Sequence, residues 1–160
     1  MDATTEATVV ERTLSIAAPP ETVWDYFVDP QKATRWMGIS ADFEARPGGI
    51  YRCEVLPGHT ARGEFVALDP PHRLVFTWGW EPGEQGDHAV PSGSSTIEIV
   101  LTADGDGTSL HFVHRDLPNA EAAQSHGHGW DHYLPRLEIA AEGGDPGEDP
   151  WLTQDMQRES

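Results

Sequence analysis

The feature that most restricts the fold is a series of short alternating segments followed by one long segment of helical periodicity. Polar and apolar residues alternate at 9–16, which predicts a half-buried strand. Further strands are predicted at 43–45, 49–56, 61–68, 73–80, 95–102 and 108–115. Most of their connections are short and rich in Pro, Gly and Asp, so consecutive strands should pair antiparallel. After Asn119, apolar residues recur every three or four positions as far as Ala141, which predicts one long amphipathic helix.

Two short helices are predicted between the first strand and the rest. Pro20 suits the first turn of a helix, where its missing N–H needs no partner. Asp29 and Pro30 should end this helix and cap a second one. Trp24 and Trp36 are expected to pack these helices on the sheet.

The order of these elements predicts an α+β fold in which a curved antiparallel sheet wraps around the C-terminal helix. This packing buries the apolar faces of both and leaves a cavity between them as the expected ligand site. The domain is predicted to span residues 8–141. Residues 142–160 are expected to form an acidic, disordered tail of little importance to stability, in which only Trp151 and Leu152 favour docking. The long connection at 81–94 is interpreted as a candidate lid.

Four separated motifs resemble a known family. They are Pro20-Glu21-Thr22-Val23-Trp24 with Asp29-Pro30 and Trp36, then Arg46-Pro47-Gly48-Gly49, then Gly63 with Asp69-Pro70-Pro71-His72-Arg73-Leu74-Val75-Phe76-Thr77-Trp78, and last Gly129-Trp130 with Leu134 and Leu137. In this order they are similar to the START/SRPBCC superfamily, and within it to the subgroup named after the activator of the heat-shock-protein-90 ATPase. The resemblance implies a helix-grip fold, shared with birch pollen allergen and polyketide cyclases, that usually holds a hydrophobic small molecule.

The charge of the chain argues against several partners. Asp and Glu number 27 against 10 Lys and Arg, a formal net charge of −17, so phosphate backbones and anionic membrane surfaces should be repelled. No segment has the roughly 18 consecutive apolar residues that a membrane span needs. The single cysteine, Cys53, cannot form an intrachain disulfide, and a cytoplasmic location is expected.

The sequence contains no recognisable catalytic or cofactor-binding motif. A Ser-His-Asp order, a nucleophile elbow and a phosphate-binding loop are all missing. His128 and His132 have the i, i+4 spacing of a zinc-binding pair but lack an evident third ligand, so we expect no metal. Cys53 is interpreted as a small buried residue. No cofactor and no catalytic residue are predicted.

Strand parity and helix periodicity assign the residues of the expected cavity. Leu110, Phe112 and His114 share the more apolar face of the last strand, and His114 is expected to be the polar group that orients a ligand. Trp80 should face inward with Trp78. On the strand predicted at 49–56, Arg52 and Glu54 alternate with Tyr51, Cys53 and Val55. Parity does not show which of these two sets points inward. The predicted ligand-binding residues are Phe76, Trp78, Ile99, Phe112, His114, Trp130, Tyr133 and Leu134.

Three functions are compatible with such a cavity. Binding of a hydrophobic, aromatic small molecule is favoured, because the predicted lining is apolar and offers no nucleophile. A cyclase- or hydrolase-like enzyme is the alternative, with His114 or Tyr133 moving a proton. A co-chaperone-like protein-binding domain rests on the family resemblance alone. The chain is expected to be a monomer or a homodimer, with no nucleic-acid or membrane partner.

Overall fold

A computed structural model describes residues 8–82 and 90–152. In chain order the elements are β1 (Val10–Ile16), α1 (Pro20–Val28), α2 (Pro30–Ala33), β2 (Ser40–Phe43), β3 (Ile50–Leu56), β4 (His59–Asp69), β5 (Arg73–Trp78), β6 (Ser95–Asp104), β7 (Gly107–Arg115) and α3 (Ala120–Ala141). The predicted α+β class and the order of its elements are confirmed.

The strands form one antiparallel sheet in the order β1-β7-β6-β5-β4-β3-β2. Strands β2 to β7 follow the predicted meander, and the first strand, β1, lies at the edge of the sheet beside the last strand, β7. Ile99 lies opposite Phe112, and Ile97 lies opposite His114. The inward face of the sheet and the buried stripe of α3 share one hydrophobic core, so the sheet grips the helix as predicted.

The two faces of β3 are now distinguished. Tyr51, Cys53 and Val55 are buried, whereas Arg52 and Glu54 alternate with them on the outer face. The helix therefore meets the apolar set, and the charged pair takes no part in the cavity wall. Cys53 is buried, as the sequence suggested, and burial raises the pKa of its thiol to about 12, so this cysteine stays protonated and unreactive at neutral pH.

Charged pairs cover the outer face of the sheet. Arg52 Nε donates to Glu81 at 2.7 Å, and Glu98 accepts from Arg73 at 2.7 Å and from Arg115 at 2.9 Å. The hydrogen bond from Arg73 is the main reason why the pKa of Glu98 lies below its usual value. These partly exposed pairs are screened by solvent, so their contribution to stability is small.

Helix α3 is continuous for 22 residues despite two glycines and a proline. Asn119 caps its first turn by accepting from the Ala122 N–H at 2.8 Å, which satisfies one of the free donors there. Arg12 on β1 donates to Asp131 at 2.7 Å and joins the helix to the sheet edge. Within the described ranges, no helix is long and apolar enough to cross a membrane.

The two short helices form as predicted. Pro20 is the first residue of α1, and the Asp29 side chain caps α2 by accepting from the Gln31 N–H at 2.9 Å. Trp24 and Trp36 are buried, and the Trp36 indole donates to the Tyr26 carbonyl at 2.9 Å. Both tryptophans therefore belong to the core.

Some boundaries differ from the prediction. The strand expected at 43–45 lies at Ser40–Phe43, because residues 44–49 make the turn into β3. The turn is so tight that a Cβ atom at Gly49 would lie 1.9 Å from the Glu44 carbonyl oxygen. The strand expected to reach residue 80 ends at Trp78. Within the connection at 81–94, residues 83–89 lie outside the described part of the chain. Beside this connection, the backbone N–H of Trp80 donates to the Val90 carbonyl at 2.8 Å, and Val90 is buried.

The segment after α3 differs from the predicted disordered tail over residues 142–152. Arg136 donates to the Pro146 and Gly147 carbonyls at 3.1 and 2.8 Å, and Asp149 is only 6% exposed. Composition predicted disorder here because it measures apolar content. This acidic segment is instead held against the domain by a few directed hydrogen bonds, without a large apolar contact. Residues 153–160 lie outside the described part of the chain.

Gly63 on β4 provides a direct test of the sheet. A Cβ atom there would lie 1.9 Å from the Thr77 carbonyl oxygen. We expect Gly63→Ala to lower the free energy of unfolding by about 1–3 kcal/mol, because backbone must move to accept the methyl group. Chemical denaturation followed by circular dichroism measures the change.

Gly129→Ala is the matched control. A Cβ atom at this helical position meets nothing within 4 Å, so the same substitution should raise the free energy of unfolding by about 0.5–1 kcal/mol. Equal stability of Gly63→Ala and the wild-type protein would contradict the close approach of β4 and β5.

Candidate functional site

A cavity of about 280 Å³ lies between α3, β5 and the hairpin that joins β3 to β4. Its size is near the lower end for small-molecule sites. Its wall is mainly aromatic and, among the described residues, carries no carboxylate, ammonium or guanidinium group. The lining residues are Met37, Val55, Leu56, His59, Trp78, Trp80, Ser125, His126, Gly129, Trp130, Tyr133 and Trp151.

Indole rings from the sheet and the helix meet at this wall. The centroid of Trp78 lies 5.1 Å from that of Trp130 and 5.4 Å from that of Trp80. The rings are tilted or edge-on to each other, at 56° and 81°, which is the favourable arrangement for aromatic quadrupoles. The wall is therefore a packed cluster whose shape is set before any ligand arrives.

His114 holds part of this wall in place from behind. It is 0% exposed, and its Nδ1 accepts from the Trp130 indole N–H at 3.1 Å. Its Nε2 lies 2.8 Å from the Ser95 hydroxyl, which itself donates to the Trp78 carbonyl at 2.7 Å. Because Nδ1 must accept and the hydroxyl proton is already used, the ring is neutral with its proton on Nε2.

His126 plays the corresponding part for a second indole. The Trp80 indole N–H donates to His126 Nε2 at 3.0 Å, and His126 Nδ1 lies 2.8 Å from the Ala122 carbonyl. This carbonyl can only accept, so the proton of the neutral ring sits on Nδ1. Two tryptophans of the wall thus have their N–H groups satisfied by imidazoles, which fixes both ring orientations.

Trp78 differs from these two tryptophans. Its indole nitrogen is buried and, among the described residues, is the one buried side-chain nitrogen or oxygen without a hydrogen-bond partner. An unsatisfied buried donor costs about 1–3 kcal/mol. The aromatic wall therefore keeps an indole that packing alone holds in position.

The predicted ligand-binding residues fall into two groups. Trp78, Trp130 and Tyr133 line the cavity. His114 does not, and neither do the other predicted residues, Phe76, Ile99, Phe112 and Leu134, which are all buried in the core. Three of these, Phe76, Ile99 and Phe112, surround a separate void of only about 10 Å³, which is at most the size of one water molecule.

The role assigned to His114 needs correction. Strand parity placed it correctly on the inward face, but both of its ring nitrogens are engaged within the protein. His114 is not among the residues that line the cavity, but it accepts from the indole of Trp130, which is. In this structure His114 therefore positions the wall.

Several cavity residues were missed by the sequence analysis. His59 stands at the start of β4, and its ring lies 6.5 Å from that of Trp80 in an edge-on contact. Ser125 precedes His126 on α3. Trp151 comes from the segment expected to be disordered. Trp80 was expected to face inward but was not assigned to the site. A hairpin and the segment after a helix carry no periodicity, so no sequence pattern assigned His59 or Trp151 to the cavity.

Asp149 anchors Trp151 beside the cavity. Its carboxylate accepts from His132 Nε2 and the Tyr133 hydroxyl, both at 2.8 Å, and from the backbone N–H of Trp151 at 2.9 Å. Burial alone would raise the pKa of Asp149, but these hydrogen bonds outweigh it and hold the pKa below the usual value. Burial and the hydrogen bond to Asp149 raise the pKa of Tyr133, so its hydroxyl remains a neutral donor.

The pair of histidines on α3 serves this segment. The His132 ring stacks on Trp151 with centroids 3.7 Å apart, and His128 stacks on the same indole at 5.4 Å. Among the described residues, no group of three or more His, Cys, Asp or Glu side chains is arranged to hold a metal ion.

The family model described as "Activator of Hsp90 ATPase homolog 1-like protein" matches residues 17–142. The chain belongs to this family. No curated protein matched the sequence. The AHSA1-like protein of Rhizobium etli is 45% identical, with 89% of this chain and 87% of that chain covered and a TM-score of 0.69.

Two more distant members of this fold were found. CalU16 of Micromonospora echinospora is 26% identical over 94% of this chain and 82% of its own, with a TM-score of 0.68. An HSP90 activator of Plasmodium falciparum is 22% identical over 83% and 95%, also with a TM-score of 0.68, and this likeness shows the fold alone. The match to the family model ends at residue 142, so Asp149 and Trp151 lie beyond the residues that the model covers.

The burial of His114 predicts a pH dependence of stability. Burial and the nearby His126 lower the pKa of folded His114 well below its ordinary 6.5. Below about pH 6.5 the unfolded chain therefore takes up a proton that the folded chain refuses. The free energy of unfolding should fall by up to about 1.4 kcal/mol for each pH unit until the folded pKa is reached. Urea denaturation at a series of pH values measures this slope.

Two variants assign the slope. His114→Gln should reduce it, and its lower stability at pH 7 reports the lost hydrogen bonds. His72→Gln, at an exposed histidine, should leave the slope of the wild-type protein unchanged. An undiminished slope in His114→Gln would exclude His114 as its source.

Proposed function

We propose that the chain binds a neutral, hydrophobic, aromatic small molecule in the cavity between the sheet and α3. The observation that carries this proposal is the lining of the cavity by four indoles, those of Trp78, Trp80, Trp130 and Trp151. Flat aromatic faces provide large contact areas and lose little conformational entropy on binding, so they favour an aromatic ligand.

The polar groups of the wall favour an uncharged ligand. They are the imidazoles of His59 and His126 and the hydroxyls of Ser125 and Tyr133. The Tyr133 hydroxyl donates to Asp149, and the His126 ring is neutral in its hydrogen-bonded state. A carboxylate or sulfonate would lose its hydration there and meet no lysine or arginine side chain among the described lining residues. Fatty acids and other anions should therefore bind poorly.

The arrangement supports binding better than catalysis. Proton transfer by His114 or Tyr133 was the basis of the enzyme alternative. His114 is fully buried with both nitrogens engaged, and the Tyr133 hydroxyl donates to Asp149. Neither group is available to a ligand in this arrangement. The co-chaperone alternative gains no support, since the likeness to an HSP90 activator extends only to the fold.

A matched pair of fluorescent probes tests both parts of the proposal. N-phenyl-1-naphthylamine is neutral, and 8-anilino-1-naphthalenesulfonate is the same aromatic skeleton with a sulfonate. We expect saturable binding of the neutral probe with one site per chain, and at least about tenfold weaker binding of the sulfonate because its charge is desolvated without a partner. Fluorescence titration gives both dissociation constants.

Gly129 offers a variant that fills the cavity without removing core atoms. Gly129→Leu places a side chain at the wall and should weaken binding of the neutral probe about tenfold or more while α3 stays folded. Gly129→Ala adds only one methyl group and is the control. Absence of saturable binding to the wild-type protein, or equal binding to Gly129→Leu, would contradict the proposed site.

A further inference from the structure

One wall of the cavity is contributed from beyond the family-matched residues. We call residues 145–152 the C-terminal cap. Within it, Trp151 lies against His132 with ring planes only 6° apart and meets the Tyr133 ring edge-on at 5.6 Å. Trp151 also lines the cavity. The cap therefore runs back from the end of α3 and covers part of the cavity that the sheet and helix leave uncovered.

A small number of polar contacts hold the cap down. Asp149 is the principal one, since its carboxylate is buried and accepts from His132, Tyr133 and the Trp151 N–H. Arg136 adds two hydrogen bonds to the carbonyls of residues 146 and 147. Replacing the carboxylate would leave the indole with only its ring contacts.

The cap has little else to keep it closed. Asp145, Gly147, Glu148 and Pro150 are exposed, and Trp151 is its one large apolar side chain that packs against the core. A segment with few buried apolar contacts opens at a lower free energy than the core it covers. The wall formed by Trp78 and Trp130 is interlocked with the sheet, so among the described parts of the enclosure the cap is the one that can open alone.

We propose that the C-terminal cap is a latched cover through which a ligand enters and leaves the cavity. Asp149 on His132 and Tyr133 is the latch, and Trp151 is the inner surface of the cover. This inference rests on the proposed function, because a cover has a role only if the cavity holds a ligand.

Stopped-flow fluorescence with N-phenyl-1-naphthylamine tests the latch in the full chain. Asp149→Asn keeps the size of the side chain but removes its charge and makes half of it a donor, which cannot accept from both His132 and Tyr133 as before. We expect association and dissociation rates each to rise at least about fivefold. Tyr133→Phe keeps the ring, removes one latch bond and should give a smaller rise of the same kind.

Glu148→Gln is the control. It removes the same charge from an exposed neighbouring position and should leave both rates unchanged. Hydrogen exchange of the Trp151 amide, which donates to Asp149, reports cap opening without any ligand. It should accelerate in Asp149→Asn and not in Glu148→Gln.

The outcomes separate the two proposals. Wild-type binding with unchanged rates in Asp149→Asn would overturn the cover, whether or not exchange at Trp151 accelerates, and would leave the proposed function standing. Rates that rise equally in Glu148→Gln would replace the latch by a general charge effect. Failure of the wild-type protein to bind the neutral probe would overturn both.

Discussion

The hydrogen bond from the Trp130 indole to His114 joins the two layers of this fold. Trp130 comes from α3 and His114 from β7, and both are buried. A large aromatic ring stabilises a core by its area, but its N–H must find an acceptor once water is excluded. His114 provides this acceptor, and its own Nε2–H donates to the Ser95 hydroxyl oxygen at the start of β6. The helix is thus held to two strands at one defined height and rotation.

This constraint explains why the cavity is open beside a well-packed core. Trp130 cannot turn into the space next to it without losing its hydrogen bond to His114 Nδ1, and the partly buried Trp80 is held by a corresponding bond to His126. For Trp130 the loss would leave a buried donor without an acceptor. The walls are therefore kept apart by directed bonds, whereas purely apolar side chains would be free to close the gap.

Most of the fold could be predicted from the sequence because its signals are local. Alternation along the strands, the prolines that open the two short helices and the helical periodicity after Asn119 each depend on residues within a few positions. The inward parity of Trp78 and His114 followed from the same rules. Errors of two or three residues occurred where a turn replaced a strand end, as between Phe43 and Ile50.

The site could be predicted only in part because its decisive contacts join residues that are distant in the chain. Trp80 finds His126 46 residues later, and His132 finds Asp149 17 residues later. Periodicity assigns a residue to a face, but it does not tell which of two inward residues stands in front of the other. His114 was therefore placed on the right face, but the structure engages both of its ring nitrogens within the protein and leaves it out of the cavity lining.

The segment after α3 shows why composition predicts order poorly when the contacts are few and specific. An acidic run has too little apolar surface to fold alone, and on that ground disorder was expected. A carboxylate, however, is a strong acceptor for donors already fixed on a neighbouring helix, and His132 and Tyr133 present two such donors side by side. The free energy of docking then depends on a few contacts, those of Asp149 first and those of Arg136 and Trp151 beside them, and not on the average character of the segment. A contact that rests on so few bonds is ordered in the closed state and remains easy to release, which is the physical requirement for a cover.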